Sequence, residues 1–155
     1  MEFIYDSPVG RLNIFYDHTH ILGLYFERKR SEDYLHNPVI EQCVRELDEY
    51  FTHGRMIFDI PVNPKGTDFQ KATWGALTQI PYGVTVSYAN IAAKIGKPKA
   101  CRAVGGANNK NPISIIVPCH RVVGATGKLV GYGGELWRKQ WLLDHEARRK
   151  SLHEI

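Results

Sequence analysis

The sequence predicts an α+β protein in two parts: a small N-terminal sheet-plus-helix domain over residues 1–64, then a mostly helical domain over 65–155 with a helix-turn-helix. Three observations point there. Strand-like runs rich in β-branched and aromatic residues sit early in the chain, where such side chains fit a pleated surface. Capped helical patterns crowd the later part. Between them, Pro61-Val62-Asn63-Pro64-Lys65-Gly66 can continue neither a helix nor a central strand. A chain of 155 residues is long enough to bury a real core, ~70% of its unfolded surface.

The elements follow in order. Residues 12–16 and 21–26, joined through Asp17-His18-Thr19-His20, read as paired strands. Asn37 can cap a helix that Pro38 opens at its first position; Val39, Cys43, Leu47, Tyr50 and Phe51 form its apolar stripe, and Gly54 stops it. Residues 56–60 read as a short strand. In the second part, Thr67-Asp68-Phe69-Gln70 has capping-box form, and the helix it opens places Phe69, Ala72, Ala76 and Ile80 on one face before Pro81-Tyr82-Gly83 ends it. Ser87 can cap a second helix over 88–95, with Gly96 just past its end. Pro98 can start a third, running through Lys99, Arg102 and Val104 towards Ala107. The apolar run 113–117 reads as a buried strand leading into Pro118-Cys119-His120-Arg121-Val122, and a last helix is expected over 135–149.

Composition and charge narrow the function classes. No apolar run approaches the ~20 residues of a membrane span, and the first residues lack a basic start and a long apolar stretch, so the sequence predicts a soluble cytoplasmic protein. Cys43, Cys101 and Cys119 form neither a CxxC pair nor a zinc-spaced set, which predicts a reducing compartment, no disulfide framework and no metal. The net charge of +4 hides an asymmetry: 6 Lys+Arg against 11 Asp+Glu in residues 1–64, and 14 against 5 in 65–155. The basic half suits a polyanion such as nucleic acid.

Within that half, two short helices around a Gly-containing turn match a helix-turn-helix. On the second of them Ala100, Ala103, Gly105, Gly106 and Ala107 are small, and Arg102 stands among them as one long cation. Such a face can sit close to a groove wall while the arginine enters a base stack. It equally suits tight helix packing with a surface cation. At Cys119, proline on the preceding residue fixes the backbone and holds the thiol at a defined place. A free thiol is only a few per cent ionised at neutral pH, so a nucleophilic role needs a proton acceptor or a positive neighbour. His120 is adjacent, though neighbouring side chains in extended chain point apart, so direct contact is not assured and an intervening water could relay the proton. Asp144, His145 and Glu146 lie together on the last helix as candidates to orient that base.

Pro118-Cys119-His120-Arg121-Val122 resembles the active-site motif of the O6-alkylguanine-DNA alkyltransferases, also called methylated-DNA–protein-cysteine methyltransferases. The likeness runs over 69–149 and includes Tyr82-Gly83, Ser87-Tyr88, 102–107, Asn111-Pro112 and 141–146; Ser7-Pro8-Val9-Gly10 is similar to the N-terminal part of bacterial members. The resemblance implies a ribonuclease-H-like first domain and a monomer that acts on double-stranded DNA containing alkylated guanine. Repair is direct, irreversible and stoichiometric, without cofactor, with O4-alkylthymine as a second candidate substrate. It implies that Cys119 accepts the alkyl group, that the sulfur is held ionised by its surroundings, that His120 draws off its proton through a water, and that Glu146 orients the imidazole. Asn111 would brace the reactive turn, Tyr88 would donate to N3 of the departing guanine, and Lys139 would lie near the reaction. Arg102 would fill the gap left by the flipped nucleotide, and Tyr88, Ala103, Gly105, Asn108 and Arg121 would meet the nucleic acid. The loop Val130-Gly131-Tyr132-Gly133-Gly134 and Val122 would line the base pocket, with Tyr132 and the Gly133 amide facing O6. Gly133 stands where relatives often have Ser or Ala, Glu135 where Gly is also seen, and Asn108 where some have Met, changes that bear on substrate breadth. Two other readings are a non-catalytic lesion sensor, as in relatives with Trp at the cysteine position, and a helix-turn-helix regulator.

Overall fold

The computed structural model describes residues 1–28, 34–130, 132 and 135–153, and it divides into two compact units, Met1–Lys65 and Gly66–Ile155.

In the first unit, β1 (Glu2–Ser7), β2 (Gly10–Tyr16) and β3 (Ile21–Phe26) form an antiparallel meander in that order. β1 is an element the sequence reading did not anticipate. Gly10, at φ 101°, closes the tight β1–β2 turn in a conformation that side chains resist. Alternation along β2 and β3 buries Leu12, Ile14, Tyr16, Ile21 and Leu24. The helix α1 (Pro38–Thr52) starts where its cap predicts: the Asn37 side chain accepts the Ile40 amide, and Pro38 occupies the first turn. Its stripe of Val39, Cys43, Leu47, Tyr50 and Phe51 is buried, and Gly54 follows its end at φ 74°.

The expected strand over 56–60 does not form. Glu46 of α1, 1% exposed, takes the amides of Asp59 and Ile60 on one carboxylate oxygen, and Arg55 pairs with Glu46 and Glu49. The backbone donors a strand would offer a neighbour are thus satisfied by a helix side chain. The chain pairs with β3 only afterwards, at a single bridge between Ile21 and Val62.

In the second unit, α2 (Asp68–Leu77) opens with a complete capping box between Thr67 and Gln70. Its buried side is Thr73, Trp74, Ala76 and Leu77, continued by Ile80; Ala72, expected inside, is exposed. The indole of Trp74 sets that orientation, since it is buried and donates to the Ala107 carbonyl at 2.8 Å. A second capping box, Ser87 with Asn90, opens α3 (Tyr88–Lys94), and Gly96 follows at φ 76°. The next helix, α4 (Cys101–Asn109), starts three residues later than expected, because Pro98 and Lys99 lie in a turn. α4 packs against both α2 and α3.

The run 113–117 is buried but is a turn and not a strand. Val117 donates back to Ile113 and Ile116 to Ser114, while Ile115 takes φ 72°, a left-handed conformation that is costly for a β-branched residue. The turn delivers the chain into a short 3-10 turn, Cys119–Arg121, and then into β5 (Val122–Val123), which pairs in parallel with β4 (Val86–Ser87). The last helix, α5 (Leu136–His153), packs on the 3-10 turn. Among the described residues, no helix is long and apolar enough to cross a membrane.

Candidate active site

Cys119 opens the 3-10 turn and is 2% exposed. The backbone around it is held from below by Asn111, whose side-chain amide donates to the Val117 carbonyl at 2.8 Å and whose oxygen accepts the Ile113 amide. Burial pushes the Cys119 thiol up; hydrogen bonds from Asn111 and Ser114 and the charge of Lys139 oppose this without overturning it. The resting sulfur is therefore a thiol, which corrects the expectation of a standing thiolate, and ionisation has to be coupled to a base.

That base is in place. His120 is wholly buried, and its Nε2 lies 2.7 Å from Glu146 Oε2. The carboxylate takes three further donations: Arg121 Nε at 2.8 Å and the Gly83 amide at 3.2 Å on Oε1, and Arg121 Nη2 at 3.0 Å on Oε2. Burial alone would raise the Glu146 carboxyl, but His120 and Arg121 outweigh it and hold the carboxyl well below the usual range. Burial pushes His120 down, Glu146 opposes, and Arg121 and Lys139 reinforce burial; the net is an imidazole less basic than usual. His120 Nδ1 is buried and has no partner among the described residues. Of Asp144, His145 and Glu146 on α5, Glu146 is the one that meets His120; Asp144 is exposed and accepts from Gln140, and His145 stacks on Trp141.

A second convergence lies at the Val130 carbonyl, which accepts Lys139 Nζ at 2.9 Å and the Tyr88 hydroxyl at 3.0 Å. Lys139 is wholly buried, and burial lowers its ammonium against the pull of Cys119. Burial raises the Tyr88 and Tyr132 phenols, and Cys119 adds to this when it ionises, so both stay protonated and able to donate. Gly131, Gly133 and Gly134 lie outside the described residues. Val122, expected in the base pocket, is fully buried in β5.

The outer face of α4 carries Arg102, Ala103 and Gly106, all exposed, with Gly105 half-buried against the Tyr88 ring. Lys94, Lys97, Lys99 and Lys110 are exposed on the neighbouring segments. Two residues expected on nucleic acid are placed elsewhere. Asn108 belongs to the buried stripe Val104, Ala107, Asn108, a spacing legible in the sequence, and its amide donates to the Cys119 carbonyl at 3.4 Å. Arg121 is 6% exposed and is committed inward to Glu146 and the Ile80 carbonyl. The sequence reading placed Val130 in the expected pocket loop but anticipated neither its carbonyl as an acceptor nor the Gly83 amide as a donor, both being backbone groups without side-chain signatures.

Among the described residues, no three His, Cys, Asp or Glu side chains stand together as a metal site. The arrangement joins a buried sulfur to an oriented base on the next residue, a pairing suited to proton removal and nucleophilic attack.

Comparison with known proteins agrees in both units. Residues 2–64 match the 6-O-methylguanine DNA methyltransferase ribonuclease-like domain, and residues 68–148 match the DNA binding domain of the same family. A methylated-DNA–protein-cysteine methyltransferase of Methanosarcina acetivorans is 44% identical over 150 residues, covering 93% of this chain and 96% of the relative. The Mycobacterium bovis protein of the same name is 45% identical over 149 residues, covering 93% and 90%. The crystal structure of Mycobacterium tuberculosis OGT in complex with DNA superposes with a TM-score of 0.86 at 44% identity, over 94% of this chain and 92% of that one. Matched in both halves, and by relatives of one name along nearly its whole length, the chain belongs to the 6-O-methylguanine DNA methyltransferase family.

Proposed function

We propose that this protein repairs double-stranded DNA containing O6-alkylguanine by taking the alkyl group onto its own Cys119, once per molecule and as a monomer. The observation that carries the reading is the buried His120–Glu146 hydrogen bond in the turn that begins with Cys119. The relatives named above transfer a methyl group from DNA to a protein cysteine, as their name states, and the structural neighbour is a complex with DNA.

The thiol proton passes to His120 Nδ1 through a bridging water. The sulfur attacks the alkyl carbon in line, a carbon–sulfur bond forms, and the carbon–oxygen bond breaks with its electron pair passing to guanine O6. Tyr88 exchanges the Val130 carbonyl for N3 of the leaving guanine and donates a hydrogen bond that stabilises the anion there. Lys139 places a positive charge near the forming thiolate, and Asn111 keeps the turn fixed. The product is a thioether that no ordinary side chain hydrolyses, so the reaction needs no cofactor and does not recycle. O6 of a stacked guanine cannot reach a buried thiol, so the nucleotide is flipped, at a cost of a few kcal/mol that a poorly paired lesion lowers. The two helices α3 and α4 act as the helix-turn-helix: the bare face of α4 approaches the groove, and Arg102 fills the vacated stack. Tyr132 with Gly133 and Gly134 forms the base pocket.

Peptide mass spectrometry after incubation with a duplex bearing O6-methylguanine tests the proposal. The peptide containing Cys119 gains one methyl in place of the thiol hydrogen; lesion binding with that peptide unchanged defeats the reading and returns the protein to lesion sensing.

Arg102→Ala separates flipping from chemistry. Losing a stack-filling side chain worth a few kcal/mol should slow transfer from duplex DNA about a hundredfold. Transfer from free O6-benzylguanine, which needs no flipping, should fall far less. Equal losses on the two substrates would remove Arg102 from that role.

A further inference from the structure

Arg121 follows the base in the reactive turn, yet its guanidinium is committed inward on three sides. Nε and Nη2 grip the two oxygens of Glu146 at 2.8 and 3.0 Å, and Nη1 donates to the Ile80 carbonyl at 2.7 Å, which fixes the plane of the group. We propose that Arg121 is a positioning residue for alkyl transfer: its two-point contact neutralises Glu146 and thereby keeps His120 uncharged at rest, with hydrogen on Nε2 and a bare Nδ1 open to the thiol proton. This rests on the repair reading above.

The geometry decides the tautomer. Each oxygen of Glu146 receives two donors: Arg121 Nε and the Gly83 amide on Oε1, Arg121 Nη2 and His120 Nε2 on Oε2. An ionised carboxylate only accepts, so the nitrogen facing Oε2 must carry hydrogen. A neutral imidazole has one such hydrogen, which leaves Nδ1 as the lone-pair nitrogen, the same atom that is buried without a partner among the described residues.

The charge decides whether that lone pair is available. A buried carboxylate with no other counter-ion would draw a second proton onto the adjacent imidazole, and the thiol would then have no acceptor. A guanidinium is a permanent charge in a planar fork that matches a carboxylate at two points, so it fills the counter-ion role without giving up a proton. The titratable and charged groups acting on His120 are Glu146, Arg121 and Lys139; Tyr82 and Tyr132 face Glu146, with Arg121 and Arg149 acting on Tyr82, and Cys119 and Arg138 on Tyr132. Arg121 and Lys139 act with burial to lower His120, and Glu146 acts against them. Removing Arg121 tips this balance towards imidazolium. In the intact site the thiol proton moves to Nδ1, the new imidazolium rests on Glu146, and the sulfur lone pair is free to form the bond to the alkyl carbon.

Two measurements on the wild-type protein, Arg121→Gln and Arg121→Lys test this. The first follows the His120 ring nitrogens by ¹⁵N NMR against pH in the DNA-free protein. The second follows single-turnover methyl transfer from an O6-methylguanine duplex over the same range. Wild-type His120 should be neutral at pH 7 with hydrogen on Nε2. In Arg121→Gln its titration and the acid limb of the transfer rate should move up together by about one pH unit, which is about tenfold in the proton equilibrium. Arg121→Lys, which keeps the charge, should return both towards wild type. Wild-type His120 already protonated at pH 7 overturns the proposal, as does a rate lowered equally at every pH in both variants. Should Arg121→Gln fail to fold, the wild-type and Arg121→Lys titrations still decide. A wild-type protein that accepts no methyl group would instead remove the repair reading, with the ring titration still readable.

Discussion

Replacing Cys119 by Ser should abolish alkyl transfer while leaving binding to lesion-bearing DNA intact. The oxygen is of similar size and the turn around it is held by Asn111, so the backbone has little reason to move. A serine hydroxyl, however, is far harder to ionise than a thiol, and the imidazole beside it is less basic than usual. The hydroxyl is also buried where the sulfur was, at a stability cost of about 1–3 kcal/mol if no partner takes its hydrogen. Peptide mass spectrometry should find no alkyl group on residue 119, and gel-shift titration should give an affinity near wild type. Undiminished transfer by Cys119→Ser would remove this sulfur as the acceptor.

Glu146→Gln should be the most destabilising single change among the site residues. The carboxylate is fully buried and takes four hydrogen bonds, two of them from the Arg121 guanidinium. An amide of the same shape leaves that cation uncompensated and turns an NH2 group towards donors, and breaking a buried pair in this way costs about 3–5 kcal/mol. Transfer should slow by about 10²–10⁴-fold, the range for a misplaced general base. The pH dependence follows from direction. Glu146 is held below its ordinary value in the folded state, so its stabilisation is present above an unfolded value of ~4.3 and is lost as pH falls further. Folded His120 also resists protonation, so its contribution declines from an unfolded value of ~6.5 downward. Urea unfolding of wild type and Glu146→Gln should therefore show a gap that is widest near pH 7 and narrows below about pH 4. A gap that stays constant through that range would mean the carboxylate charge is not what Arg121 and His120 require.

What the sequence revealed and what it hid divide by range. Asn37 with Pro38, Thr67 with Gln70 and Ser87 with Asn90 are local devices, each closing a hydrogen bond within three residues, and each helix begins where its cap stands. The apolar runs at 56–60 and 113–117 misled. Whether such a short, mostly apolar run extends or coils depends on what takes its backbone groups: the Glu46 carboxylate from an earlier helix in one case, the turn closed on itself around Ile115 in the other. Cys119, His120 and Glu146 were nameable because their motifs resemble a known family. Arg121 stood in the same motif and was expected on DNA, because nothing local marks an arginine whose partner lies 25 residues downstream. Asn108 shows a readable signal passed over, since its spacing from Val104 already assigns it to the inner face.

The Glu146 carboxylate gathers donors that lie 63, 26 and 25 residues before it. During synthesis, then, the α4 surface and the sulfur both leave the ribosome ahead of the group that orients the base. A chain cut between Arg121 and Glu146 would keep the sulfur and lose the carboxylate that His120 faces. The proposed alkyl transfer therefore depends on the last helix being present as far as Glu146.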